Sequence, residues 1–124
     1  MNKEFVPYEQ ALELKELGFD EECFGYYNIS EKITLKSCFN RTPIILSGKK
    51  CSIPLYSQVF RWFREKHKIE CYVNCYWNEN DSSKRTYYAN YNYGSDIFYT
   101  IDTEFETHEE AELECLKKLI ELTK

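Results

Sequence analysis

The chain has 124 residues, 43% of them hydrophobic and 30% charged, with a formal net charge of -5. That length supports one buried core, and that balance excludes a disordered or fibrous chain. No apolar run approaches the ~20 residues that span a bilayer, and Met1-Asn2-Lys3-Glu4 lacks the basic-then-apolar order of an export signal, so a cytoplasmic protein without membrane association is expected.

Pro7, the apolar residues Tyr8, Ala11, Leu12, Leu14 and Leu17, and then Gly18 predict a short amphipathic helix with Pro7 at its first position and a glycine stop. In that register Gly18 is C′, and Phe19 at C″ packs back on Leu14. Cys23 to Tyr27 reads as an aromatic strand. Residues 29–53 admit two readings. Thr34–Phe39 and Pro43–Leu46 are either two strands joined around Asn40-Arg41, with Ser47-Gly48-Lys49-Lys50 as a polar turn, or parts of one long loop.

A second helix is predicted from Pro54 to His67, where Leu55, Tyr56, Val59, Phe60, Trp62 and Phe63 recur at helical spacing. The clearest period-two signal follows. Ile69, Cys71, Val73, Cys75 and Trp77 alternate with Glu70, Tyr72, Asn74 and Tyr76, the pattern of a half-buried strand. Asn78–Lys84 reads as a polar loop, Arg85–Tyr93 and Ile97–Asp102 as two further strands, and Gly94-Ser95-Asp96 as the turn between them. Thr107-His108-Glu109-Glu110 opens a last helix as a capping box, and its core face is Ala111, Cys115, Leu116, Leu119 and Ile120. The fold class expected is α+β: a single domain over 1–124, with an antiparallel sheet of three to five strands and about three helices packed on one face.

Eleven Tyr and eight Phe exceed what a core of this size needs. Because Tyr tolerates water at one end, the surplus points to a sheet face or an interface, with Tyr72, Tyr76, Tyr87, Tyr88, Tyr91 and Tyr93 as candidate partner-binding residues and Tyr99 beside them. Charge is segregated as well. Residues 1–28 hold two Lys against seven acids, residues 29–68 nine Lys or Arg against two acids, and residues 69–124 five bases against twelve acids.

Within the basic third, Arg61-Trp62-Phe63-Arg64-Glu65-Lys66-His67-Lys68 interleaves cations with aromatics, as nucleic-acid binders do. Lys49, Lys50, Arg61, Arg64, Lys66 and Lys68 are the candidate phosphate contacts. The plainer reading makes Trp62 and Phe63 core and Arg61, Arg64 and Lys68 a solvated row, and an acidic chain repels phosphate. Helix, three-stranded meander, helix over residues 54–122 is similar to the element order of double-stranded RNA-binding domains. Their lysine cluster at the start of the last helix is replaced here by Thr107-His108-Glu109-Glu110, which does not support binding in that mode.

The remaining chemistry-bearing residues read blandly. Cys71 and Cys75 on one strand face stand about 13 Å apart at ~3.3 Å per residue, too far to share an ion, and His67 and His108 have no ligand-like spacing to them. All six cysteines are expected to be reduced thiols. His67 complements a helix C-terminus, His108 flanks a cap, and Glu104, Glu106, Glu109, Glu110, Glu112 and Glu114 form a solvated helix start. No G-x-S-x-G, P-loop, G-x-G-x-x-G or H-E-x-x-H is present, so neither an enzyme nor a cofactor or metal site is expected.

Three blocks of the chain are distinctive: Phe5–Asp20 with Cys23–Tyr27, Pro54–Lys66, and Glu109–Ile120. They resemble a family of small uncharacterised proteins of phages and integrated mobile elements in Bacteroides-group bacteria. The resemblance covers about half of the chain and carries no functional residues with it. It implies a phage or mobile-element accessory protein made inside a bacterial cell. The function expected is non-enzymatic protein–protein interaction by a monomer or homodimer, with nucleic-acid binding through helix 54–68 as the alternative.

Overall fold

The computed structural model describes residues 4–37, 39–40, 49–78, 81–93, 98–101 and 104–124. The fold is α+β and contains two antiparallel three-stranded sheets, with strand orders β2-β1-β3 and β4-β5-β6. The chain divides into two compact units, residues 1–59 with Lys124, and residues 60–123.

In the first unit, helix α1 spans Tyr8–Glu16 with Pro7 as its N-cap rather than its first residue, so the helix begins one residue later than the sequence pattern suggests. Its end is built as read. Gly18 has φ +95, the left-handed geometry that costs glycine least. The Phe19 amide donates to the Leu14 carbonyl (2.9 Å) and the Gly18 amide to that of Lys15 (3.1 Å), the two bonds of a Schellman cap. Both Leu14 and Phe19 are buried, as the hydrophobic contact of that motif requires.

Strand β1 (Gly25–Asn28) lies between β2 (Ile33–Thr34) and β3 (Lys49–Ile53). Lys49 and Lys50 therefore open a strand where a polar turn was expected, because pairing with Asn28 and its neighbours overrides the weak strand preference of lysine. The expected strand Pro43–Leu46 lies outside the described residues. Gly25 is required by close approach: a Cβ there would stand 3.0 Å from the Thr34 carbonyl oxygen.

Two buried polar side chains tie this unit together. Tyr27 donates its hydroxyl to the Val6 carbonyl (3.0 Å), and burial pushes its phenol above the ordinary value. Asn40 donates to the Phe19 carbonyl (2.7 Å) and accepts from the Ser52 amide (2.8 Å), so one amide side chain clips the end of α1 to β3.

Helix α2 (Tyr56–Trp62) widens into a π-helical turn over Phe63–His67. Lys68 closes that turn in the left-handed conformation, its amide bonding the Phe63 carbonyl. In the second unit, β4 (Ile69–Asn78) pairs along its whole length with β5 (Asp81–Tyr93), and β5 pairs with β6 (Phe98–Thr100). The strands run further than expected. Asp81, Ser82, Ser83 and Lys84 belong to β5 rather than to a loop: Asp81 pairs with Asn78, and the register shifts between that pair and Trp77 opposite Arg85.

Helix α3 (His108–Thr123) packs on β4 and β5, with Thr107 Oγ1 accepting the Glu110 amide (3.2 Å) as its N-cap. Ala111, Cys115, Leu116, Leu119 and Ile120 are its buried stripe, the same five residues that periodicity selects. Cys115 reaches Cys71 on β4 across a Cα–Cα distance of 6.7 Å, and the two are joined as a disulfide. The expectation of six separate reduced thiols gives way at this pair. Among the described residues Cys23 and Cys51 are buried and Cys75 is exposed, all three outside any disulfide.

Replacing Asn40 with Ala removes a buried hydrogen bond from the Phe19 carbonyl and another from the Ser52 amide at once. Asn40→Ala is expected to lower unfolding stability by about 2 to 3 kcal/mol, measured by urea denaturation.

Candidate functional site

The register of β4 on β5 sorts the side chains of the second unit into two faces. Cys71 lies opposite Tyr91, Val73 opposite Ala89, Cys75 opposite Tyr87 and Trp77 opposite Arg85. This is the face that α3 covers, as the Cys71–Cys115 contact and the complete burial of Ala89 establish. On the other face Tyr72 lies opposite Asn90, Asn74 opposite Tyr88 and Tyr76 opposite Thr86, and Phe98 and Thr100 of β6 continue it beside Asn92 and Asn90.

The six candidate tyrosines therefore divide. Tyr72, Tyr76 and Tyr88 share the face without the helix, where Tyr72 and Tyr76 are 40% and 43% exposed. Tyr87 and Tyr91 are half-buried on the helix-bearing face, Tyr87 edge-on to His108 (5.8 Å between centroids) and Tyr91 stacked on Tyr99 (5.3 Å). Tyr93 sits at the same face by register, and its side chain lies outside the described residues. Alternation alone identifies the faces of β4. The faces of β5 depend on the pairing register, which no local signal in the sequence supplies.

The open face is a layer of rings set among small amides and hydroxyls. Tyr72 leans on Phe98 (5.9 Å) and Tyr76 on Tyr88 (6.0 Å), while Asn74, Asn90, Asn92, Thr86 and Thr100 fill the intervening positions. Phe98, 54% exposed, is an addition that the Tyr-based reading missed, and its place next to a short apolar run was the available signal. Two carboxylates fix the outer hydroxyls: Tyr72 donates to Glu70, and Tyr76 donates to Glu104 (2.7 Å). Each hydrogen bond holds its phenol above the ordinary value, since a phenolate beside a carboxylate loses the bond and meets like charge. The Asn90 Oδ1 atom is buried with no hydrogen-bond donor among the described residues.

At one end of this face, Lys84, Arg85, Thr86, Glu104, Phe105 and Glu106 line an open hollow of about 570 Å³. The Arg85 guanidinium lies 4.3 Å from the ring centre of Trp77, which is 54% exposed. The hollow is shallow and mixes both signs of charge.

The candidate phosphate contacts are distributed differently. Lys50 belongs to the first unit, where its ammonium lies 3.6 Å from Glu31 and 5.1 Å from the Tyr8 ring centre, and hydrogen bonding to Tyr8 raises its pKa ahead of the opposing effect of burial. The Lys49 side chain lies outside the described residues. Arg61, Arg64, Lys66 and Lys68 belong to the second unit and are exposed, with Arg64 4.0 Å from Glu70 and Lys68 donating to the Glu65 carbonyl (3.0 Å). A row at Arg61, Arg64 and Lys68 presumes 3.6 residues per turn. That spacing ends at Trp62, so the π turn breaks the row.

No protein-family model, curated protein or solved structure matches the chain.

His67 ends the π turn edge-on to Trp62 (5.0 Å) and tilted against Phe63 (5.6 Å), with Nε2 buried and without a hydrogen-bond partner among the described residues. His108 instead contacts Glu112 (3.2 Å) on the exposed start of α3. Among the described residues no three His, Cys, Asp or Glu side chains gather as metal ligands, and no helix is long and apolar enough to cross a membrane.

Because Glu104 accepts the Tyr76 hydroxyl, Glu104→Ala removes the hydrogen bond, and with it the like charge, that raise the phenol. Tyr76 is expected to ionise above the ordinary phenol value in the native protein and closer to that value in the variant. Carbon-detected NMR titration of the tyrosine rings checks this.

Proposed function

We propose that the protein is a non-enzymatic accessory protein of a phage or mobile element that acts in the bacterial cytoplasm by binding another protein through the open face of β4-β5-β6. The observation that carries this reading is the exposure of Tyr72 and Tyr76 on a face whose other members are Tyr88, Phe98, Asn and Thr. Tyrosine supplies large amphipathic contact area while losing only two side-chain torsions, and Asn and Thr supply adaptable hydrogen bonds, a combination that protein-recognition surfaces use.

Charge selects the partner class. The two carboxylates nearest the rings, Glu70 and Glu104, repel a phosphate backbone and favour a neutral-to-basic protein surface. The exposed Arg61, Arg64 and Lys66 support nucleic-acid binding as the second reading.

Purification of the tagged chain from its host, with and without nuclease, separates the two. A retained protein that survives nuclease is expected, and Tyr72→Ala with Tyr76→Ala is expected to weaken its binding by about 30-fold or more, the scale of a lost aromatic hot spot of ~2 kcal/mol. Partners that vanish with nuclease, and that Arg61→Glu with Arg64→Glu also abolishes, would replace this reading with the nucleic-acid one.

A further inference from the structure

Strand β4 ends its sheet, and the hydrogen bonds on the far side of β5 reveal which of its backbone groups face outward. Tyr87 and Phe105 exchange both backbone hydrogen bonds (2.9 and 2.8 Å), and the Ile101 amide donates to the Ala89 carbonyl (2.9 Å). Odd-numbered residues of β5 thus turn away from β4. In an antiparallel ladder a residue's N–H and C=O point the same way, so the bonded pairs between β4 and β5 are Glu70 with Asn92, Tyr72 with Asn90, Asn74 with Tyr88 and Tyr76 with Thr86. Cys71, Val73, Cys75 and Trp77 then direct their amides and carbonyls to the sheet edge, where they have no partner among the described residues.

This edge is long, and it lacks the devices that keep edges apart. Its ten residues contain no Lys, Arg, Pro or Gly, and its one charge, Glu70, lies 4.0 Å from Arg64. Asn74, Cys75, Tyr76 and Trp77 are exposed in succession, so the strand is bare on both faces there.

We propose that this edge pairs antiparallel with the same strand of a second copy of the chain, about a two-fold axis at Asn74. The strand is self-complementary in that register. Asn74 meets Asn74, and Tyr72 of each copy meets Tyr76 of the other on the open face, an aromatic pair of the kind that stabilises sheets. Val73 and Cys75 exchange the outward hydrogen bonds, as do Cys71 and Trp77. The alternative centre at Val73 sets Glu70 against Tyr76 and leaves Trp77 against Ile69, losing the Tyr72–Tyr76 pairs. An axis perpendicular to the sheet keeps each face continuous, so dimerisation yields a six-stranded sheet with a doubled tyrosine face. The dimer does not rest on the function proposed above, because it is argued from the backbone groups of the edge and not from what the face binds.

Sedimentation equilibrium of the full untagged chain at micromolar concentration is expected to give twice the 15.0 kDa chain mass. Cys75→Pro deletes an outward amide without touching the β4–β5 ladder, and is expected to return the protein to a monomer with an unchanged circular dichroism spectrum. A second variant covers the case in which that proline prevents folding. Asn74→Cys in a Cys75→Ser background places two thiols at ~4.5 Å between Cα atoms across a non-hydrogen-bonded pair, within disulfide reach, and mild oxidation is expected to give a 74–74 link by peptide mass spectrometry. A wild-type chain that stays monomeric, a folded Cys75→Pro variant that still dimerises, or a dimer that forms no 74–74 link overturns the proposal. So does a monomer whose β4 amides gain exchange protection only from an added extended peptide.

Discussion

One helix covers one face of a sheet, and the second unit is organised by that constraint. The apolar stripe of α3 needs a complementary surface, and period-two alternation on β4 offers Ile69, Cys71 and Val73. A register slip of one residue would send those side chains to water and bring Tyr72 and Asn74 under the helix, so burial fixes the pairing of Val73 with Ala89. The exposed tyrosine face is the necessary complement of that choice. Helix length adds a second asymmetry. Sixteen residues span ~24 Å, whereas the ten of β4 span ~33 Å, so Cys75 and Trp77 stay exposed even on the helix-bearing face.

Features that depend on neighbours in sequence were legible in the chain. The Gly18 cap with Leu14 and Phe19 buried at it, the Thr107 cap and the five-residue stripe of α3 each follow from residues within a turn or two of one another. Features that depend on distant pairing were not. Lys49 and Lys50 carry the composition of a turn and became a strand because β1 lies alongside. Asp81 to Lys84 became the start of β5, where Asp81 pairs with Asn78 across a register shift that no local pattern announces. Cys71 and Cys115 are separated by 44 residues, and only the seating of α3 brings them together. The π turn at Phe63–His67 escaped notice for another reason: one extra residue per turn leaves the apolar pattern almost unchanged while rotating every cation after Trp62.

The same logic divides the candidate residues. The six tyrosines looked alike in sequence, yet the register makes Tyr72 and Tyr76 surface groups, sets the half-buried Tyr88 on the same face, and puts Tyr87 and Tyr91 against α3. The basic residues looked like one patch, yet Lys50 is committed to Glu31 and Tyr8 within its own unit, and Arg64 sits beside Glu70. Carboxylates at Glu70 and Glu104 accept the outer tyrosine hydroxyls. For the proposed partner-binding role, such bonds narrow the orientations of the rings and so lower the entropy lost on association.

The claim at the centre of this account is that β4-β5-β6 is covered on one side only. Timed nitration of the native protein with tetranitromethane, read by peptide mass spectrometry, tests it directly. Tyr72 and Tyr76 are expected to react well ahead of Tyr27, which is 8% exposed and hydrogen-bonded to Val6. Equal protection of all three tyrosines would mean that the second face is covered as well, and would contradict the account.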